Sequence, residues 1–364
     1  MNYKRKTVLL VLLAFPLLNW AEPETFEPIY TFLNEKHWAA LEQLRATFPN
    51  VPADEWECIF ERINRLQKLI AADLAIPNES EGLCCGSVFP NDTPYLYENL
   101  PAYVLKCLKD RKINPEKVLL EFGAGCAGST VATHSRYTFE NDTLESHQEF
   151  MAFPSKLSFD KTVRNHVDAV DWLINFRLLS LFKSRSDALT NCKNFHFIEW
   201  IIQREITHIA FMHHSAKAEI YRGIRKYYAM TAIENTAAYL NYCKILEYYA
   251  DIAPCIRYPD LAKAAFQKVA LWTWLERFSK KIRLDRIIKP AYCATHPTNR
   301  QLYPLLKKIV DIHEKNGRYK NEKNVTKRII QRIRKNFIKT YVLAAFVGVV
   351  CGLGLDFLSN MVKR

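Results

Sequence analysis

The sequence predicts a mainly α protein of the α+β class, with one small β region among many helices. Three observations point there. Glycine is scarce, with 10 residues against 21 Phe, 18 Tyr and 7 Trp, a balance that suits packed helices better than a turn-rich β architecture. Apolar residues recur at three- and four-residue spacing over most of the chain, the period of a helix with one buried face. Hydrophobic residues make up 49% of 364, enough to build a sizeable core, which excludes a disordered chain.

In chain order, Lys4, Arg5 and Lys6 precede an apolar run from Val8 to Leu18, with Ala21 as a cleavage point. Residues 1–21 therefore read as a signal peptide or an uncleaved signal anchor. The region 22–120 opens with Trp38, Leu41, Leu44 and Phe48, then Trp56, Ile59, Ile63, Leu66 and Ile70, at helix spacing on either side of Pro49 and Pro52. That pattern predicts a helical hairpin between Glu22 and Ile76. Residues 77 to about 160 collect Pro77-Asn78, Pro90-Asn91-Asp92, the glycines between 123 and 128, and Asn141-Asp142. They predict the β region, with strands near Val118–Phe122 and Tyr137–Leu144. From about 163 to 312 the helical period returns, interrupted near Pro254, Pro259, Pro290 and Pro297.

Both ends carry membrane signals. The basic arm, 313–340, holds Lys327, Arg328, Arg332, Arg334, Lys335 and Lys339, with Glu322 the lone acid between Arg318 and Lys339, and an apolar segment, 341–358, follows it. The positive-inside rule puts that flank in the cytoplasm, whereas a signal peptide exports the body. The expectation is an exported body (periplasmic, extracellular or luminal) with a C-terminal anchor, and the charge bias of the arm runs against it. Much of the +13 net charge lies beside this segment, and few aromatics interleave it, so membrane lipid is the expected partner and nucleic acid is not. The ten cysteines include Cys351 in the apolar segment and leave nine, with no C-x-x-C pair. Neither a disulfide framework nor a cysteine zinc cluster is implied.

The chemistry-bearing stretch is Arg204-Glu205-Ile206-Thr207-His208, followed by His213 and His214. It reads as H-E-x-x-H-x-x-x-x-H with arginine in place of the first histidine. In the intact pattern two histidines four residues apart share a helix face and bind zinc, while the glutamate activates a water. A guanidinium stays protonated and has no lone pair to give a metal. On a continuous helix His213 and His214 point roughly 140° and 240° away from His208 and share no face with it. His134, His147 and His166 are left to supply a ligand from another segment.

Two later patches follow: Glu234-Asn235-Thr236-Ala237-Ala238, and Thr295-His296-Pro297 ahead of a helix bearing Arg300. In this order the three patches resemble the family of CAAX prenyl proteases and HtpX, gluzincin metalloproteases with H-E-x-x-H-x-x-x-x-H, then E-x-x-A-D, then T-H-P. The resemblance implies a helical zincin-like core over 121–312, zinc as cofactor, His208 and Glu234 as metal ligands, and Glu205 as catalytic base. It makes His213 and His296 further site residues. The chain departs from the pattern at Arg204, at Ala238 where the family has Asp, and in a short first spacing. With Arg204 paired to Glu205 or Glu234, the fold would keep its shape and lose the metal. The expected function is that of a membrane-associated, metalloprotease-like pseudopeptidase that binds or scaffolds a protein or peptide. Active zinc endopeptidase, with a ligand from elsewhere in the chain, and membrane-tethered helical interaction protein are the alternatives.

A rival pattern is Leu119-Leu120-Glu121-Phe122-Gly123-Ala124-Gly125-Cys126-Ala127-Gly128. It resembles the first motif of S-adenosylmethionine-dependent methyltransferases, where glycines let the cofactor approach the backbone at a strand end. That reading requires a helix immediately afterwards, and the residues from Val131 to Asp142 are poor helix formers.

Overall fold

The computed structural model describes residues 26–75, 100–123, 131–141, 143–156, 158–159, 195–281, 295–319, 322–339 and 342. The signal segment, Gly125, Gly128, His166, Pro290, nearly all of the apolar tail and six cysteines (Cys84, Cys85, Cys126, Cys192, Cys293 and Cys351) lie outside them. Among the described residues, no helix is long and apolar enough to cross a membrane. Cys58, Cys107, Cys243 and Cys255 are free thiols.

The protein is mainly helical with one small sheet. Helix α1 (Glu27–Thr47) and helix α2 (Ala53–Leu74) form the predicted hairpin, and Leu33, Leu44, Trp56, Ile59 and Ile70 from its two arms are all buried. Helix α1 lies on α7 (Ala237–Arg257). There Asn241 donates to Gln43 at 3.0 Å, the Tyr249 hydroxyl donates to Asn34, and His37 sits among Trp38, Tyr242 and Tyr249. Burial pushes the His37 imidazole down to about 4.

Helix α2 packs on α5 (His213–Ile224), and the closest approach is at Gly223. A Cβ there would come within 2.2 Å of Ile59 Cδ1. Replacing glycine by alanine inside a helix normally favours the helix by about 1 kcal/mol, while overpacking a full site costs roughly 1–3 kcal/mol. Because Ile59 is fully buried, the second effect wins. Gly223→Ala is expected to lower urea-unfolding stability, and to raise it when Ile59→Ala has cleared the space.

Helix α3 (Leu100–Asp110) leads through a 3₁₀ turn (Pro115–Lys117) into the sheet. Strand β1 (Val118–Phe122) occupies the predicted span. The second predicted strand, Tyr137–Leu144, is corrected to two strands, β2 (Ala132–Glu140) and β3 (Thr143–Phe153), joined at Asn141 with φ +46°. Asparagine tolerates that left-handed conformation, so the predicted strand was a hairpin turn with its flanks. The order is β1-β3-β2, with β1 parallel to β3 and β2 antiparallel to it. A strand, not a helix, thus follows the glycine run, which removes the element that the methyltransferase reading needs.

Among the described residues the remaining helices are α4 (Phe195–Ala210), the short α6 (Met230–Glu234), α8 (Pro259–Lys281), α9 (Asn299–Lys315) and α10 over 325–339. Pro254 does not interrupt α7 but lies inside its last turn, where the lost N–H removes only one ladder bond. Pro259 begins α8, a position where its missing N–H is harmless. Thr298 and Gln301 form a reciprocal capping box at the start of α9.

Helix α4 packs against α3, α5, α7, α8 and β2. Its apolar stripe of Ile198, Ile202, Ile206 and Ile209 is buried. The stripe Glu199, Gln203 and Thr207 is buried too, and meets α3: Tyr103 donates to Glu199 at 3.3 Å, and Arg111 donates to Gln203 and Thr207 at 3.1 and 3.4 Å. Each buried polar group on this stripe has a partner, as burial requires.

Candidate functional site

The third stripe of α4, Arg204 and His208, faces Glu247 and Asp251 of α7. Both pairs are four residues apart, so each presents two groups on one helix face. The Arg204 guanidinium contacts all three neighbouring carboxylates: Nη1 donates to Glu205, Nη2 to Glu247, and Nε to Asp251 Oδ1 at 2.9 Å. These side chains are 6–15% exposed, so the cluster is enclosed by protein. One turn on, His208 Nε2 lies 3.2 Å from Glu247 Oε2. His296, on the loop before α9, reaches the same oxygen at 3.4 Å.

The sheet closes the other side. Thr133 on β2 donates to Glu205 Oε2 at 3.0 Å. Having one hydroxyl hydrogen, it then accepts from His214 Nε2 at 3.1 Å. Both carboxylate oxygens of Glu205 are therefore occupied, one by Arg204 and one by Thr133.

Three patches distant in sequence, around 204–208, 247–251 and 296, meet at one point. Arg204, Glu205, His208 and His296 are all there. Glu234 is not: it is exposed on α6, and the carboxylate that faces α4 is Glu247. The signal for this was in the chain, since Glu247-Tyr248-Tyr249-Ala250-Asp251 completes E-x-x-A-D with no departure. It also removes the anomalies of Ala238 and of the short spacing.

His213 is a second correction. The helix does not run through it: α4 ends at Ala210, Met212 takes the left-handed conformation at φ +50°, and α5 starts at His213. The break brings His213 Nδ1 to 3.0 Å from His208 Nδ1 and sets the His214 ring 5.5 Å from that of His208. Left-handed backbone costs a residue like methionine about 1–2 kcal/mol, offset by burying the Met212 side chain, which is 1% exposed. His134 stays apart, stacked on Phe150 at 4.6 Å.

Charge is distributed unevenly over this centre. Burial disfavours the Arg204 cation, but Glu205, Asp251 and Glu247 together hold it more firmly protonated than usual. Burial would raise Glu247, yet the His208 hydrogen bond and the charge of Arg204 keep it well below the ordinary carboxylate range. Asp251 goes the other way: burial lifts it to about 6, with Arg204 countering only in part. Of Glu247 and Asp251, Asp251 is the one that more readily holds a proton. Burial lowers His214 to about 3 and His213 well below 6.5, the neighbouring His208 adding to both, so these two rings are neutral at pH 7. Lys268, lying over the Trp200 ring at 5.4 Å, is brought down to about 8 by burial despite the pull of Asp251.

A zinc ion does not fit these residues as they stand. The guanidinium lies against the carboxylates that a metal would need, and His208 Nε2, the nitrogen facing them, is engaged by Glu247. Among the described residues no group of three or more His, Cys, Asp or Glu is arranged to hold a metal ion. What the arrangement does provide is a fixed internal cation that joins α4, α7 and, through Glu205, β2. Comparison with family models, with curated proteins and with solved structures found no match for this chain.

Proposed function

We propose that this chain is a membrane-associated, zincin-like pseudopeptidase, in which Arg204 closes the centre and the protein binds or scaffolds a protein or peptide without hydrolysing it. The observation that carries this reading is the convergence of the three protease-like patches on a guanidinium. Arg204 holds Glu205, Glu247 and Asp251 together, in the position where the resemblance calls for a metal ligand. A guanidinium supplies positive charge but no open coordination position. Glu205, with both oxygens engaged, is not available as a general base.

The test is metal content by mass spectrometry together with zinc-dependent thermal shift. It compares the parent, Arg204→His, and Arg204→His combined with Glu247→Gln. The parent is expected to carry no stoichiometric zinc, and Arg204→His to take it up and melt at higher temperature with it, since binding only the folded state stabilises that state. The added Glu247→Gln is expected to abolish the uptake. Stoichiometric zinc with peptide hydrolysis in the parent would replace this reading by that of an active endopeptidase. No uptake by Arg204→His would leave a helical interaction protein.

A further inference from the structure

Helix α10 presents two unlike faces. Val325, Ile329, Ile333 and Asn336 are buried, and Phe337 lies 6.3 Å from the Trp274 ring of α8. The opposite face is exposed and carries Lys327, Arg328, Arg332, Arg334 and Lys335. The one acid of 322–339, Glu322, lies before the helix and is tied to Lys263. Lys327, Arg332, Arg334 and Lys335 have no acidic partner among the described residues.

Interaction with the helix dipole does not account for this face. Cations are favoured in the last turn and disfavoured in the first, yet Lys327 and Arg328 are in the first turn. Like charges four residues apart, as at Arg328 and Arg332, work against the helix, and an anionic surface would relieve that repulsion. At the far end of the helix Ile338 is 55% exposed, and beyond it Val342, 60% exposed, falls in the apolar sequence Tyr341–Leu355.

We infer that the exposed face of α10 docks on an anionic lipid surface, with its basic side chains among the headgroups and Ile338 and Val342 at the acyl boundary. This deepens the membrane-associated part of the function proposed above and is independent of the Arg204 centre. Basic stems and apolar ends in this order match the gradient from headgroup to hydrocarbon.

Co-sedimentation of the full chain with vesicles of phosphatidylcholine, with and without phosphatidylserine, tests it. Phosphatidylserine is expected to tighten binding, and high salt to remove the gain. Changing Lys327, Arg332, Arg334 and Lys335 together to Gln is expected to weaken the phosphatidylserine-dependent binding by about 100-fold or more. Equal binding to both vesicles, or an unchanged gain in the quadruple variant, overturns the inference, as does duplex DNA that displaces the parent from the vesicles. All four side chains are exposed, so the substitutions leave the core intact, and a circular dichroism spectrum of the quadruple variant matching the parent checks that the fold is kept. Zinc uptake by Arg204→His does not involve these residues, so the two readings fail separately.

Discussion

Arg204→Met is expected to destabilise the fold by about 3–5 kcal/mol, the usual effect of leaving buried charge without its partner. Against a typical total of roughly 5–15 kcal/mol, that is enough to unfold much of the population at neutral pH. The lost group is the common partner of Glu205, Glu247 and Asp251, so Glu205 and Asp251 would face each other without it and Glu247 would keep only His208 and His296. The signs with pH follow from the two perturbed acids. Asp251 is raised from 3.8 to about 6, so its contribution is complete below 3.8 and is lost as pH rises through 6. Glu247 is lowered from 4.5, so its contribution is present above 4.5 and is lost as pH falls through its folded value. Without Arg204 this second contribution shrinks to what His208 and His296 supply and protonation relieves the repulsion, so the gap between parent and Arg204→Met should narrow from pH 7 to pH 5. Adding Glu247→Gln and Asp251→Asn should recover much of the loss. Urea unfolding at the two pH values measures both effects, and an Arg204→Met curve that overlays the parent at pH 7 would show that the cluster does not hold the helices together.

The hairpin of α1 and α2 and strand β1 were legible because local pattern and tertiary burial agree there. Trp56, Ile59 and Ile70 keep the helical period and are buried in the structure. The centre was legible in part. Arg204, Glu205 and His208 lie on one continuous helix, so spacing alone gives their common side. Glu247 was legible too, as the complete E-x-x-A-D pattern, but Glu234 comes sooner after His208 and took its place. His213 and His214 were not legible. Their approach to His208 depends on left-handed backbone at Met212, which no turn-forming residue announces and which burial of its side chain offsets. The second strand failed for a local reason: apolar residues stand on both sides of the turn formers Asn141-Asp142, and the left-handed backbone at Asn141 divides them between two strands.

A second large effect is expected at His147, on the same sheet but outside the Arg204 centre. Its Nδ1 lies 3.1 Å from Asp73 Oδ2 and its Nε2 2.9 Å from Glu149 Oε1. Neutral imidazole has one N–H, so only the imidazolium can donate to both carboxylates. Lys117 binds the far side of Asp73 at 2.7 Å, and Ser135 donates to Glu149 at 2.9 Å. Burial works against the cation, but the bonds to Glu149 and Asp73 outweigh it and raise His147 above 6.5. A raised histidine contributes stability that is complete below 6.5 and is lost as pH rises through the folded value. His147→Leu leaves Glu149, 1% exposed, without its cation, and about 3 kcal/mol should be lost at pH 6. That loss should shrink as pH is raised, because the parent then surrenders the same interaction. Glu149→Gln in the same background should restore part of it. NMR titration of the ring decides the premise: a midpoint above 6.5 supports the charged bridge between α2 and β3, and a midpoint below 6.5 removes it.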